Sequence, residues 1–175
     1  MLEHYNGDER KALIAKAKTY LQPFFDWFGN WTDPDVTGVS KVVDENGEPL
    51  VVVHTTDEIF DTFDLSYFGN TDEGYHGKGF YFSKTRISEK YGLIPTMNYG
   101  KNRMFCFLNI KNPAIDKSVV KNWETTGKYD GAFTAPINGK ILPEIIALNP
   151  NQIKSIDNQG TFSTTDNNIN KSSSE

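Results

Sequence analysis

The chain has 175 residues, of which 37% are hydrophobic and 23% charged, so length and composition predict one globular domain with a single core. No run reaches the roughly 20 apolar residues of a membrane span, and the charged N-terminus lacks the apolar centre of a signal peptide. The net charge of −5 argues against general binding to a nucleic-acid backbone. The single cysteine, Cys106, leaves no disulfide framework and too few thiols for a cysteine-based zinc site. These features together predict a cytoplasmic protein that does not enter a membrane.

The first segment of the chain predicts a helix, because apolar residues recur at helical spacing through residues 8–28. The apolar positions are Leu13, Ile14, Ala17, Tyr20, Leu21 and Phe24. Pro23 interrupts this pattern, so the helix is expected to kink or restart there. A turn-rich stretch, GNWTDPDVTG, follows. We expect residues 1–38 to form a helical lead-in whose apolar face lies on the main domain.

A β-hairpin is predicted next, because two valine-rich runs in residues 40–56 flank Glu45-Asn46-Gly47-Glu48, and Asn-Gly is a strong hairpin signal. Its second strand ends at His54. Residues 55–78 are mostly loop. We expect the part Asp64–His76 to be a mobile lid, because its Gly, Asn and Asp residues supply few buried contacts.

The second half of the chain predicts short strands between turns. GFYFS (79–83) and MFCFLNI (104–110) are predicted strands, and TRISEKYG (85–92) predicts a short helix with Thr85 as its N-cap. Further strands are expected up to residue 148, and the polar residues 163–175 predict a disordered tail. The pattern is that of one α+β domain over residues 39–162. The predicted core consists of Val51, Val53, Phe80, Phe82, Phe105, Phe107, Leu108, Ile145, Ile146 and Leu148.

Three segments carry a recognisable constellation: VVVHTT (51–56), GKGFYFSKTRISEKY (77–91) and ILPEIIALNPNQIKSI (141–156). In these segments the sequence resembles the ADP-ribosyltransferase superfamily, in the His-Tyr-Glu branch of poly(ADP-ribose) polymerases and diphtheria-like toxins. That branch has a His after one strand, a Tyr in a Gly-Lys-Gly-Ile-Tyr-Phe motif, and a Glu that opens a late strand. The counterparts here are His54, Tyr81 and Glu144.

The chain is similar, more closely still, to phage-associated members of that superfamily, which occur as domains of large polyvalent proteins. The shared features are Trp27-Phe28-Gly29-Asn30-Trp31, the run from Ser40 to Pro49, and Asn149 to Ser155. The resemblance covers residues 24–162. It implies a split antiparallel β-sheet core under an N-terminal helical cap, NAD⁺ as substrate and no metal. It also implies a toxin-like, phage-associated protein in the cytoplasm of a bacterium or a phage-infected host cell.

The resemblance assigns the chemistry to the His-Tyr-Glu set. The nicotinamide–ribose bond of NAD⁺ breaks with positive charge growing on the ribose, and a carboxylate that bonds the 2′-OH stabilises that charge. Glu144 is expected to fill this role, and His54 to bond the adenosine ribose. Strand alternation is expected to place His54, Tyr81 and Glu144 around one cleft between two portions of the sheet.

The remaining cofactor-binding residues are expected to hold the nicotinamide. Tyr81 and Tyr91 sandwich its ring, and Ser88 can bond its carboxamide. Gly79, in the same motif as Tyr81, is expected to contact NAD⁺. Thr55 follows the histidine where the family has glycine. It offers the same backbone N–H and C=O to the carboxamide but adds a side chain close to the ring.

The function that follows is transfer of one ADP-ribose unit to a macromolecular acceptor, a host protein or a nucleic acid. An arginine acceptor is disfavoured, since the arginine-modifying branch has a Ser-Thr-Ser strand that this chain lacks. One alternative is an NAD⁺ glycohydrolase with water as acceptor, and another is a catalytically silent phage structural or interaction domain of the same fold. A small ribonuclease using His54 and Glu144 as base and acid is a weaker alternative, because the chain is acidic and has no basic stripe.

Overall fold

The computed structural model of the protein describes residues 9–64, 77–88, 92–95, 102–134 and 144–171. Within these residues two helices precede eight short strands, which confirms the predicted α+β class. The elements are α1 (Glu9–Lys18), α2 (Gln22–Phe28), β1 (Val52–Thr56), β2 (Phe80–Ser88), β3 (Gly92–Pro95), β4 (Asn102–Leu108), β5 (Pro113–Ile115), β6 (Gly131–Phe133), β7 (Glu144–Ala147) and β8 (Ile153–Ser155).

Seven of the strands follow one another in the order β5-β6-β7-β2-β1-β4-β8, and β3 pairs with the second half of β2. Neighbouring strands run antiparallel except β5 and β6, which are parallel. The sheet is therefore mixed, and the prediction of an antiparallel sheet is wrong at this edge. Parallel neighbours need a long crossover between them, and residues 116–130 supply it.

Alternation along the central strands gives the sheet two faces with different contents. The aromatic face consists of Val52, His54, Phe80 and Phe82, covered by Phe60 and Phe63. The carboxylate face consists of Val53, Tyr81, Ser83 and Glu144. All the predicted core residues are buried except Phe105 and Leu148, which are half-buried against the same clusters.

Helix α2 packs its aromatic side chains onto the sheet beside β4. Pro23 lies in the first turn of this helix, so the predicted interruption is a restart of the helix after α1. Phe24 is fully buried and meets Phe107 and Phe162 edge to face, with ring centroids 5.4 and 5.0 Å away. The large apolar area of these rings ties the N-terminal segment to the rest of the domain.

Helix α1 turns a different side inward from the one its sequence predicts. Leu13 and Ile14 belong to the predicted apolar face, yet they are 67% and 47% exposed. Ala12 and Ala15 are buried instead. The contact side of α1 thus uses small side chains, which let a helix approach closely, and the spacing of large apolar residues indicated the wrong face.

The predicted turn at residues 44–48 forms, but the hairpin around it is minimal. The Asp44 N–H donates to the Glu48 carbonyl at 2.8 Å, and a single bridge joins Val43 to Pro49. The Leu50 N–H also donates to the Val42 carbonyl at 3.1 Å, but the valine run before the turn forms no strand along the rest of the second run, contrary to the prediction. Both edges of β1 are already occupied by β2 and β4, so no edge is left for the first run.

The strands predicted at GFYFS and MFCFLNI are confirmed as parts of β2 and β4. The helix predicted from Thr85 is wrong over the described residues, because Thr85–Ser88 prolongs β2 and pairs with β3. The β-branched Thr85 and Ile87 suit a strand, and cross-strand pairing outweighs the local N-cap signal.

The predicted disordered tail is wrong for residues 163–171, which pack against the domain. Ile169 is 3% exposed within the core of the aromatic face, and its N–H donates to the Asp61 carbonyl at 2.7 Å. The fully buried Lys154 ammonium donates to the Asp166 carbonyl at 2.6 Å. One apolar side chain and a set of backbone partners therefore order a segment whose composition alone predicts disorder.

Candidate active site

Strand β1 brings His54 to the centre of the sheet, where its ring is bonded to the next strand. His54 Nδ1 lies 2.7 Å from the Tyr81 carbonyl oxygen. Because a carbonyl can only accept, Nδ1 carries the proton, and Nε2 of the neutral ring is left as an acceptor. Burial lowers the pKa of His54, and the hydrogen bond to Tyr81 only partly opposes this. The ring is therefore neutral near neutral pH, with a fixed tautomer.

The backbone ladder between β1 and β2 ends beside this histidine. Its Cα pairs are Val52–Lys84 and Val53–Ser83, whereas β1 pairs with β4 along its whole length. Just beyond the last of these pairs, His54 Nδ1–H donates to the Tyr81 carbonyl. The side chain thus ties the two strands together beyond their last backbone pair.

The surroundings of His54 explain its lowered pKa. Its ring lies 5.0 Å from Phe63, 5.4 Å from Phe82 and 6.2 Å from Phe60, measured between centroids. Such an apolar shell disfavours the charged imidazolium. Any further hydrogen bond to the ring is therefore accepted by Nε2 of a neutral imidazole.

Tyr81 occupies the carboxylate face of β2 and is half-buried. Its hydroxyl donates to the Gly77 carbonyl at 2.5 Å, and its ring packs against the cluster that contains Ile146 and Trp123. Both ends of the side chain are therefore fixed before any ligand arrives. A flat ring held in this way can serve as a stacking platform.

Gly79 is required by packing between β2 and β7. A Cβ at this position would lie 2.3 Å from Ile146 Cγ2, a distance that no side chain can occupy. The glycine therefore allows the start of β2 to approach β7 closely. This packing role stands beside the NAD⁺ contact expected of Gly79, which remains a prediction.

Glu144 opens β7 and faces the same side as Tyr81. Its Cα pairs with that of Ser83, two residues beyond Tyr81, and its backbone N–H donates to Thr134 Oγ1 at 2.8 Å. The residue is only 6% exposed, and burial raises the pKa of its carboxyl group to about 7. A carboxyl group with such a pKa changes charge near neutral pH and responds strongly to a nearby cation.

The structure brings the three predicted residues onto adjacent strands but does not turn them to one face. Tyr81 and Glu144 share the carboxylate face. Thr55, next to His54 on the strand, is turned to the side opposite the histidine ring. His54 lies on the aromatic face and meets Tyr81 through the backbone. The register of His54 sets it beside Phe82. The expected arrangement of all three residues around one cleft between two portions of the sheet stays a prediction.

The family described as ADP-ribosyltransferase in polyvalent proteins has a sequence model that matches residues 44–135. The match spans slightly more than half of the chain and includes His54 and Tyr81, and it ends before Glu144. The chain belongs to this family. ADP-ribosyltransferases use NAD⁺ as substrate, so the family supports a transferase role for the chain. No curated protein and no solved structure is significantly similar to the chain.

The structure describes some of the residues expected at the candidate site only in part or not at all. Ser88 ends β2, with its Cα paired to that of Gly92. Tyr91 and the greater part of the predicted lid, residues 65–76, lie outside the described residues. Their roles remain predictions.

Two residues near the site had no sequence signal. Thr134 binds the backbone of Glu144, and Glu124 lies against Gly77. Both come from segments without a clear motif, and only the packing of the crossover onto the sheet brings Glu124 there. Gly77 itself has a φ of 104°, a conformation that favours glycine.

The described part of the chain contains no group of three or more His, Cys, Asp and Glu residues arranged to hold a metal ion. No helix among the same residues is long and apolar enough to cross a membrane.

Proposed function

We propose that the protein is an NAD⁺-dependent ADP-ribosyltransferase that transfers one ADP-ribose unit to a macromolecular acceptor, a protein or a nucleic acid. The observation that carries the proposal is Glu144, a buried carboxyl group on the same face as Tyr81, one strand away. A buried acid with a raised pKa beside an anchored aromatic ring suits a substrate that is flat and cationic.

The reaction breaks the bond between C1′ of the ribose and the nicotinamide nitrogen. The bonding electrons go to that nitrogen, so nicotinamide leaves as a neutral molecule, and positive charge develops on the ribose. The Glu144 carboxylate bonds the 2′-OH and stabilises this charge more in the transition state than in the ground state. The acceptor then forms the new bond to C1′ and loses a proton. The cationic nicotinamide of bound NAD⁺ favours the ionised form of Glu144.

The other residues bind and orient NAD⁺. His54 accepts a hydrogen bond from the adenosine ribose through Nε2, which its Nδ1 bond to Tyr81 keeps unprotonated. The rings of Tyr81 and Tyr91 enclose the nicotinamide. The backbone of Thr55, together with Ser88, holds the carboxamide end of the substrate. Gly79 contacts NAD⁺ in the same region.

The catalytic unit in this proposal is residues 39–162, preceded by a helical cap. The end of the β1–β2 ladder at His54 is the place where the sheet would split to admit NAD⁺. We place the activity in the cytoplasm of a bacterium or a phage-infected host cell, in a toxin-like, phage-associated protein.

Incubation of the purified protein with NAD⁺ labelled in its adenine part and a bacterial lysate tests the proposal. Label in a macromolecule that protease or nuclease digestion releases supports transfer. Free labelled ADP-ribose alone identifies an NAD⁺ glycohydrolase, and unchanged NAD⁺ identifies a silent domain. The matched control is the Glu144→Gln variant, which should leave NAD⁺ unchanged in the same lysate.

A further inference from the structure

A second carboxylate lies at the hydroxyl end of Tyr81. Glu124 belongs to the short 3-10 turn Trp123–Thr125 within the crossover between β5 and β6. Trp123 is 1% exposed and belongs to the same cluster as the Tyr81 ring, so this turn is held against the carboxylate face. The position of Glu124 is thus fixed by the buried tryptophan beside it.

Glu124 and Tyr81 meet at Gly77. A Cβ built on Gly77 would lie 2.8 Å from Glu124 Oε2 and 3.0 Å from Oε1, so the carboxylate rests directly on this glycine. The carbonyl of the same glycine accepts the Tyr81 hydroxyl. Only the backbone of one residue therefore separates the carboxylate from the phenol.

Glu124 has an unsatisfied group. Its Oε2 atom is buried and has no hydrogen-bond partner in the described part of the chain. Burying a carboxylate oxygen without a donor costs free energy, and such groups in folded proteins call for an explanation. Because the atom is buried, a ligand offsets its charge only through space, as a nearby cation does.

We propose that Glu124 is a specificity-determining residue that selects the oxidised, positively charged nicotinamide ring over the reduced, neutral one. This inference rests on the proposed function, in which the nicotinamide stacks on Tyr81. NAD⁺ and NADH differ in the charge of that ring, and an anion at the edge of the stacking platform favours the cation. Only the oxidised ring can leave as neutral nicotinamide, so NADH would occupy the site without reacting.

Glu124→Gln tests this selection, because the amide keeps the shape of the side chain and removes its charge. Calorimetric titration of wild type and variant with NAD⁺, and separately with NADH, gives the affinity ratio of the two nucleotides. We expect NAD⁺ affinity to fall roughly fivefold or more while NADH affinity changes less than about twofold. Glu45→Gln, on the exposed hairpin turn, is the matched control and should keep the wild-type ratio.

Three outcomes overturn the inference: an unchanged ratio in Glu124→Gln, an equal loss for both nucleotides, or a shifted ratio in the Glu45→Gln control. Glu124→Ala, which removes the whole side chain, must shift the ratio in the same direction and replaces Glu124→Gln if that variant does not fold. Nicotinamide release by the wild type is measured in parallel. Wild-type protein that neither binds nor cleaves NAD⁺ refutes the proposed function itself, whereas active wild type with an unchanged ratio refutes only the role of Glu124.

Discussion

The two faces of the central strands treat their polar groups in opposite ways. On the aromatic face, His54 is surrounded by rings, bonded to the Tyr81 carbonyl and held neutral. On the carboxylate face, Glu144 is buried with a raised pKa, and Glu124, held against this face, has a buried oxygen that no described residue hydrogen-bonds. The first face satisfies its polar group within the protein, while the second holds two acidic side chains, of which Glu124 has an oxygen without a hydrogen bond in the described part of the chain.

The aromatic face therefore supports the fold and ground-state binding, whereas the carboxylate face carries the groups proposed for the chemistry. Changes on the aromatic face should act first on stability and on ground-state binding, since its interactions do not depend on charge. Changes on the carboxylate face should act on turnover, because the ribose becomes cationic only in the transition state. Variants on each face therefore test this difference.

The largest effect is expected on the carboxylate face, from Glu144→Gln. The amide keeps the shape and one acceptor but not the charge, so turnover should fall about 100- to 1,000-fold while NAD⁺ affinity stays within a few-fold. Nicotinamide release and calorimetric titration measure the two quantities. Turnover at the wild-type rate would show that another group is the catalytic carboxylate.

The next effect is expected where the tail closes the aromatic face. Ile169→Ala removes a side chain that is 3% exposed, and we expect the free energy of unfolding to fall by about 2–4 kcal/mol. Ile59→Ala, at a side chain that is 85% exposed, is the matched control with almost no expected change. Urea denaturation measures both. Equal stabilities of the two variants would mean that residues 163–171 do not support the core.

A smaller effect is expected on ligand affinity from His54. His54→Ala removes both ring nitrogens, and NAD⁺ affinity should fall roughly tenfold, the value of one hydrogen bond. In His54→Asn, the side-chain amide can still donate to the Tyr81 carbonyl but has no counterpart of Nε2. We expect this variant to recover stability but not affinity, as measured by thermal melting and calorimetry. Recovery of both would assign His54 a purely structural role.

The last effect concerns the pH dependence of stability. The Glu144 pKa is about 7 in the folded protein against an ordinary value of 4.5, so the folded state binds this proton more tightly than the unfolded state. The free energy of unfolding should therefore fall as pH rises between these values, by at most about 1.4 kcal/mol per pH unit from this group. His54 has a lowered pKa and acts in the opposite direction. The difference between wild type and Glu144→Gln isolates the first contribution, and a difference that does not vary from pH 5 to 8 would contradict it.

Local patterns predicted those elements in which the neighbouring residues decide the conformation. The turn at residues 44–48 and the strands containing Tyr81 and Phe107 were predictable from Asn-Gly and from runs of apolar residues. The prediction of a helix from Thr85 failed, because β3 offers that segment a partner strand. The tail prediction failed for a similar reason, since Ile169 finds its place only in the assembled core.

The α+β class, the motifs around His54, Tyr81 and Glu144, and the family to which they point could be read from the sequence. The face that each side chain takes, the raised pKa of Glu144 and the contact of Glu124 with Gly77 emerged only from the folded chain. Motifs and turns depend on residues close in the chain, whereas burial, charge and strand pairing depend on residues that meet only when the sheet has formed.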